Sequence, residues 1–283
     1  MNLSRALPSL LLLWLALSVG AIAQPTEHLK LASWNIQDLG RTKSPEEIAL
    51  MAAVLRGYDV IAVQEVVARD PAGAQAVARL AEALDRTGSD YDYRVSNPTR
   101  SSSGALRERY AFLWRTASVA LVGRPKLLSA YAKTIEREPY LATFAWGGRH
   151  FRVATFHGRP HDAYPEQEVA RLRDLPDDYD DAPLFLAGDF NLVSRHTVWN
   201  PWRARGYGLA VEDQQTTLRT EAGPAGPRDI FSREADNILV PAHQVRHIEG
   251  GLLDVPAFLR NDLAAARRLS DHVPVYVVFG EFP

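Results

Sequence analysis

The chain has 283 residues, of which 46% are apolar and 23% are charged, with a formal net charge of −2. This composition is typical of a globular protein and excludes one that holds a polyanion by bulk positive charge, because such a protein would be basic. Any phosphate-containing substrate must therefore be bound locally or through a metal ion. The chain has no cysteine, which excludes disulfide bonds.

Residues 1–23 have the order of a secretory signal peptide. Arg5 precedes an apolar run from Leu10 to Ala23 that ends in small residues. The run is shorter than the roughly 20 residues that span a bilayer, which favours cleavage over an uncleaved membrane anchor. We therefore predict export to the periplasm or the extracellular space, no stable membrane insertion after cleavage, and a single domain over 24–283.

Strands and helices alternate in the first part of the chain, and strands dominate the rest. A capping box that starts at Ser44, with a proline at the first helical position, opens a helix through Leu55. Many strands with few helices predict two packed sheets flanked by helices in one α/β domain. The other predicted helices are 71–85 and 165–175, and the predicted strands are 30–36, 59–66, 91–96, 110–114, 118–122, 140–146, 150–157, a strand ending at 189, 237–240 and 273–279.

Polar side chains stand at the ends of six of these apolar strands. An apolar strand has no reason of its own to end in a carboxylate or a carboxamide. If the strand ends meet at one edge of the sheets, they form a pocket of carboxylates, amides and imidazoles. Its members are Asn35, Glu65, His157, Asp189, Asn191, Asp236, Asp271 and His272.

These residue types suit the hydrolysis of a phosphate ester. Carboxylate and carbonyl oxygens are the ligands that a hard divalent cation prefers. Histidines beside carboxylates can accept and donate protons, and asparagine can hold a phosphoryl oxygen without adding charge. Each strand end taken alone is also typical of a turn, a solvated edge or a helix N-cap, so the prediction depends on the whole set.

The order of the blocks resembles the endonuclease/exonuclease/phosphatase superfamily, and within it the deoxyribonuclease I group. The resemblance covers residues 29–279. The blocks that carry it are Trp34-Asn35-Ile36, Gln64-Glu65, RERYAFLWR (107–115), EREPYLATF (136–144), Phe156-His157, Gly188-Asp189-Phe190-Asn191, Asp236-Asn237-Ile238 and Ser270-Asp271-His272.

The resemblance implies a four-layered α/β sandwich, two central and mostly antiparallel sheets flanked by helices. It also implies Mg²⁺-dependent cleavage of phosphodiester bonds, with Mn²⁺ as a substitute, by a monomer whose substrate is DNA. The implied roles are metal binding for Glu65, Asn35 and Asp271, proton transfer for the pairs His157–Glu108 and His272–Asp236, orientation of the nucleophile and the scissile phosphate for Asp189 and Asn191, and phosphate binding for Arg137.

The chain departs from the deoxyribonuclease I group where that group contacts the DNA minor groove. Leu106 and Val67 stand at the positions of its groove-binding tyrosine and arginine, and Arg69 or Arg100 could substitute. An alternative is therefore a phosphoesterase for sphingomyelin or phosphoinositide headgroups, and a third hypothesis is a binding module without activity. The acidic run 177–181 is either a solvated loop or a structural Ca²⁺ site.

Overall fold

The computed structural model describes residues 27–280 and 282. The predicted signal peptide and residues 24–26 lie outside this part. Twelve strands occur in the described residues: β1 (Leu29–Leu39), β2 (Val60–Val67), β3 (Tyr91–Val95), β4 (Glu108–Arg115), β5 (Ala120–Leu127), β6 (Tyr140–Trp146), β7 (Arg149–His157), β8 (Leu184–Asp189), β9 (Tyr207–Leu209), β10 (Asp236–Pro241), β11 (His247–Leu252) and β12 (Val275–Phe279).

The strands form two six-stranded sheets with the same pattern of directions. The first has the order β11-β12-β1-β2-β4-β3 and the second has the order β5-β6-β7-β8-β10-β9. Only the central pairs, β1–β2 and β7–β8, are parallel, and the other pairings in both sheets are antiparallel. The predicted fold class is confirmed.

Helices cover the outer faces of the two sheets. The helices of the described residues are α1 (Pro45–Leu55), α2 (Ala72–Asp85), α3 (Pro165–Leu172), α4 (Asn200–Ala204), α5 (Val255–Phe258) and α6 (Leu263–Leu269). The capping box of α1 is present, because the Ser44 hydroxyl accepts from the Glu47 amide and the Glu47 carboxylate accepts from the Ser44 amide. Within residues 27–280 and 282, every helix is too short or too polar to cross a membrane.

Three apolar layers result from this arrangement. The central layer lies between the sheets and is rich in aromatic side chains, whereas α1, α2, α5 and α6 pack on the first sheet and α3 and α4 pack on the second. Trp199 and Trp202 are buried in the layer under α3 and α4. The central layer includes Phe112, Phe144, Phe151, Phe185 and Phe279.

Candidate active site

Inner-face residues at the ends of neighbouring strands build the site. In β1, Leu29 and Leu31 face the second sheet, and the two-residue period of a strand places Asn35 on the same face. In β8, the same period leads from the core residue Phe185 to Asp189, the last residue of the strand. The same alternation of side chains that places apolar residues in the central core therefore places the Asn35 amide and the Asp189 carboxylate together at one end of that core.

Strand direction brings three more polar residues to the same end. His157 is the last residue of β7. This strand runs parallel to β8, and His157 lies opposite Asp189, the last residue of β8. Glu108 and Asp236 are the first residues of β4 and β10, which run antiparallel to β2 and β8. The first residue of an antiparallel neighbour lies beside the last residue of its partner, so all these side chains reach one edge.

A polar layer separates this edge from the apolar core. The buried Gln64 amide donates to the hydroxyl of Ser33 at 3.1 Å and to that of Thr155 at 2.6 Å, and so links β1, β2 and β7 across the two sheets. Buried polar groups are tolerated when they are paired in this way. The pairs fix how the two sheets meet directly below the site.

Glu65 reaches the site because β2 is irregular. The pairing of β2 with β4 shifts register between Val63 and Val66, and the Glu65 backbone has a φ of +58°. In a regular strand, Gln64 and Glu65 would point to opposite faces. The bulge and the left-handed residue direct both toward the second sheet, and strain of this kind is typical of functional sites.

Two histidine–carboxylate pairs face each other across the cleft. The His157 Nδ1 lies 2.8 Å from Glu108 Oε2, and the His272 Nδ1 lies 2.7 Å from Asp236 Oδ2. Thr216, which the sequence reasoning missed, donates its hydroxyl to the same Asp236 oxygen at 2.7 Å. Each pair leaves the Nε2 atom of its imidazole directed into the cleft.

Asp189 lies between the two imidazoles. Its Oδ2 atom is 3.6 Å from His157 Nε2 and 3.8 Å from His272 Nε2, and it accepts a hydrogen bond from Asn35 Nδ2 at 3.1 Å. Its other oxygen accepts from the backbone amide of Asn191 at 2.8 Å, and that residue has a φ of +51°. Asp189 is thus fixed by two donors and faces two proton-carrying groups.

The charges of the site shift the pKa values of its members. Burial disfavours the charged form of His157, but the adjacent Glu108 outweighs this and raises its pKa. In the same way, Asp236 and Asp189 raise the pKa of His272 to about 10 despite its burial. Burial favours protonation of Asp189, but the two imidazolium charges lower its pKa. Burial also raises the pKa of Asp236, the carboxylate that is paired with His272.

The segment 270–272 is held in place by residues from the other end of the chain. The buried Ser270 hydroxyl donates to the Asn35 carbonyl oxygen at 2.7 Å and accepts from the amides of Gln37 and His272. The buried Lys43 ammonium donates to the carbonyl oxygens of residues 268 and 269 at 3.1 and 2.8 Å. Ser270 and Lys43 were not predicted as site residues.

The predicted metal ligands offer oxygen atoms at this edge. Glu65 accepts from Asn35 Nδ2 at 3.0 Å, whereas the buried Asn35 Oδ1 accepts no hydrogen bond from the described residues. Asp271 is half-buried and accepts from Gln37 Nε2 at 3.3 Å. Burial raises the pKa of Glu65, so a cation would offset the cost of its charge. This oxygen set fits a hard divalent cation.

A second group with the geometry of a metal site lies beside it. One ligand atom from each of Asp189, Asp236 and His272 lies within 4.8 Å of the others. This set differs from the predicted ligands, Glu65, Asn35 and Asp271. Its members already bond to one another and to Asn35 and Thr216, as a proton-transfer network would.

Arg137 is buried beside the first pair. Its Nε and Nη2 atoms donate to the backbone carbonyl oxygens of His157 and Gly158 at 3.1 and 2.5 Å, and Nε lies 3.6 Å from Glu108. It also lines a groove of about 300 Å³ next to His157, whose wall includes the exposed Leu106. Arg137 therefore anchors the backbone at the end of β7 and borders the cleft.

The groove also contains the positions at which the chain departs from the deoxyribonuclease I group. Val67 and the exposed Arg69 and Arg107 line it with Leu106. Arg100 lies outside this lining, and its amide donates to the buried Glu138. Of the two predicted substitutes for the missing arginine, only Arg69 borders the groove.

The acidic run 177–181 lies at the opposite end of β8 from Asp189. Asp177 is paired with Arg205, and Asp181 lies 2.7 Å from Arg152. Two carboxylates of this run therefore form ion pairs with arginines. The Ca²⁺ site stays a prediction.

Comparison with known proteins agrees with this arrangement. Residues 32–272 match the endonuclease/exonuclease/phosphatase family. A deoxyribonuclease from Thioalkalivibrio sp. is 35% identical over 271 residues, which cover 89% of this chain and 71% of the relative. Human deoxyribonuclease-1 is 28% identical over 292 residues, which cover 94% of this chain and 98% of the relative.

Solved structures share the fold at lower identity. A mannosyl-6-phosphatase from Bacteroides thetaiotaomicron has a TM-score of 0.63 at 17% identity, with 89% of this chain and 100% of that chain covered. The D. rerio TDP2 complexed with a single-strand DNA product has a TM-score of 0.63 at 20% identity, with 90% and 100% covered. The chain therefore belongs to the endonuclease/exonuclease/phosphatase family and is a metal-dependent phosphodiester hydrolase.

Proposed function

We propose that the chain is an exported, Mg²⁺-dependent DNA endonuclease of the deoxyribonuclease I type, with a signal peptide at 1–23 and one catalytic domain at 24–283. The observation that carries the proposal is the placement of Asp189 between two imidazoles, each backed by its own carboxylate. The names of the curated relatives support DNA as the substrate.

Glu65, Asn35 and Asp271 would hold the Mg²⁺ ion. When bound, the ion supplies a positive charge that stabilises the developing charge on the phosphate. The carboxylate and amide oxygens of these residues suit Mg²⁺, which takes few protein ligands and keeps water molecules. Mn²⁺ shares this preference for oxygen ligands and would substitute.

The two histidines would move the protons of the reaction. Water attacks phosphorus, the bond to the leaving oxygen breaks, and one proton passes from the water to the leaving oxygen. One imidazole takes the proton from the water at Nε2, and the other gives a proton to the leaving oxygen from its own Nε2. Glu108 and Asp236 orient the rings through Nδ1, and Asp189 and Asn191 orient the water and the scissile phosphate. Arg137 would bind a substrate phosphate from the wall of the groove.

Plasmid nicking tests the proposal. The wild-type chain is expected to nick plasmid DNA with Mg²⁺ and to stop when EDTA is added. A variant with both His157→Ala and His272→Ala is expected to lose cleavage, and His28→Ala, which lies outside the site, is the matched control. Undiminished cleavage by the double variant would contradict the mechanism.

Two further substrates separate the alternatives. Release of phosphocholine from sphingomyelin without DNA nicking would favour the lipid phosphoesterase. The exposed Leu106 in the groove supports this alternative, because an apolar side chain suits a lipid substrate. Hydrolysis of neither substrate, nor of bis-p-nitrophenyl phosphate with Mg²⁺ or Mn²⁺, would favour the binding module.

A further inference from the structure

Tyr164 is unusual in its backbone conformation, in the proline that follows it and in its position at the start of a helix. It is the N-cap residue of α3 but its side chain makes no capping hydrogen bond, and its backbone has a φ of +59° directly before Pro165. A left-handed conformation is uncommon for a residue other than glycine, and a following proline disfavours helical backbone further. The N-cap position also favours short polar side chains that can accept a backbone hydrogen bond.

The Tyr164 side chain makes no hydrogen bond, ion pair or ring contact with the other described residues. It is 65% exposed, the most exposed large apolar side chain among the described residues, and its hydroxyl has no hydrogen bond there. Tyrosine usually stabilises a protein by burying its ring, and this ring is not buried. Backbone strain without a packing benefit indicates a function outside the fold.

The segment that carries Tyr164 borders the cleft. It follows His157, and its single 3₁₀ turn places His161 Nδ1 2.8 Å from the guanidinium of Arg233. Arg233 lies on the segment that leads to Asp236 at the start of β10. Since β7, β8 and β10 are neighbours in the sheet, the segments at their catalytic ends form one rim.

The rim is tied together across the strands. The backbone amide of Ser194, in the segment after β8, donates to the Glu234 carboxylate at 2.7 Å. The hydrogen bonds between Arg233 and Thr217 fix the backbone of the segment before β10. The side chains of Tyr164, His161 and Arg233 nevertheless remain exposed. The rim thus has a fixed backbone and carries the exposed ring of Tyr164 and the exposed guanidinium of Arg233, with Asp162 as an exposed acidic residue between His161 and Tyr164.

We propose that Tyr164, Arg233 and His161 form a binding subsite for an unpaired nucleotide of the DNA substrate. The ring of Tyr164 stacks on the base, and the guanidinium of Arg233 binds an adjacent phosphate. Stacking of this kind needs a base whose face is free, so the subsite selects single-stranded or locally opened DNA. The inference rests on the proposed function and adds a substrate preference to it.

Binding of a fluorescein-labelled twelve-residue oligothymidylate tests the subsite, measured by anisotropy on the full chain in EDTA. Tyr164→Ala is expected to weaken binding about tenfold, which is the size of effect expected for the loss of one base–aromatic stack. Tyr164→Phe keeps the ring and is expected to keep the affinity. Arg233→Gln is expected to weaken binding and to reduce the salt dependence by about one phosphate contact. Phe258→Ala, which removes another exposed aromatic ring, is the matched control.

Cleavage rates separate this inference from the proposed function. With Mg²⁺, Tyr164→Ala is expected to lower kcat/KM on the single strand at least fivefold more than on bis-p-nitrophenyl phosphate. Equal losses on both substrates, or an affinity equal to that of Phe258→Ala, would overturn the subsite. A wild-type chain that hydrolyses bis-p-nitrophenyl phosphate but no DNA would instead overturn the proposed function.

Discussion

His157 and His272 direct their Nε2 atoms at the same oxygen atom. The Asp189 Oδ2 lies 3.6 Å from the first and 3.8 Å from the second, although the two histidines are delivered by different sheets. The shared carboxylate couples the two imidazoles, because it stabilises the protonated form of both. The chemistry of the cleft therefore depends on how the two sheets are docked.

Asp189→Asn tests this coupling. The substitution keeps the size of the side chain but removes the negative charge that both imidazoles face, so kcat on bis-p-nitrophenyl phosphate is expected to fall about 100-fold or more. Asp178→Asn, an exposed change at the opposite end of β8, is the control. A kcat within threefold of the wild type would show that Asp189 plays no part in the chemistry.

Glu108→Gln is expected to shift the pH–rate profile to lower pH. Glu108 and Asp189 raise the pKa of His157, whereas burial and Arg137 lower it. Without the Glu108 charge, this pKa falls, so the limb of the profile that reports His157 moves down, whether the imidazole acts as base or as acid. Glu82→Gln on the exposed face of α2 is the control, and the kcat profile on bis-p-nitrophenyl phosphate is the measurement. A shift to higher pH would contradict the assignment.

Glu65→Gln is expected to weaken metal binding, and this effect can be measured without an activity assay. Mg²⁺ at 100 times its dissociation constant stabilises the protein that binds it by about 2.7 kcal/mol, which a thermal-unfolding titration detects. The variant is expected to need at least about ten times more Mg²⁺ for the same increase in Tm, and Glu221→Gln is the exposed control. The same titration curve for Glu65→Gln and the wild type would place the ion elsewhere, with Asp189, Asp236 and His272 as the next candidates.

Lys43→Met is expected to destabilise the protein and to lower its activity. The buried ammonium donates to two carbonyl oxygens at the end of α6, directly before Asp271 and His272. Loss of a donor to buried acceptors costs about 1–3 kcal/mol, measured as the free energy of unfolding in urea. Lys133→Met, on an exposed turn, is the control. A kcat that stays at the wild-type value in the folded variant would show that Lys43 stabilises the fold without positioning the site.

Gly188→Ala is expected to disrupt the second sheet. Gly188 pairs with Phe156 and has a φ of +150°, and an added Cβ atom would lie 1.8 Å from the Phe156 carbonyl oxygen. Strand β7 or β8 would have to move, and both carry site residues. The Tm is expected to fall by more than for Gly208→Ala, because an added Cβ at Gly208 meets no atom within 4 Å. Equal Tm values would mean that the close approach is absent in solution.

Strand periodicity made much of the fold and the meeting of site residues predictable. Asn35, His157 and Asp189 lie on inner faces that begin with apolar residues, so the sequence indicates which face each of them occupies. The roles of these residues in catalysis stay predictions. The helices α4, α5 and α6 were missed, because elements of five, four and seven residues are too short to show a clear helical period.

The remaining features depend on contacts between distant segments. Regular alternation would place Gln64 and Glu65 on opposite faces, and the bulge that brings both inward arises from the pairing of β2 with β4. Ser270 bonds to Asn35, 235 positions away, and Lys43 bonds to a carbonyl oxygen 226 positions away. Local sequence patterns do not predict such distant partners, so the contacts of Thr216, Ser270 and Lys43 are visible only in the structure.

The pairing of β1 with β12 has a consequence for the synthesis of the protein. Residues 29–33 pair with 275–279, and the segment that carries Asp271 and His272 lies just before the late-made strand. A chain still on the ribosome has Asn35, Glu65, His157 and Asp189 long before it has the second imidazole. Under the proposed function, we expect the growing polypeptide to lack nuclease activity until β12 pairs with β1.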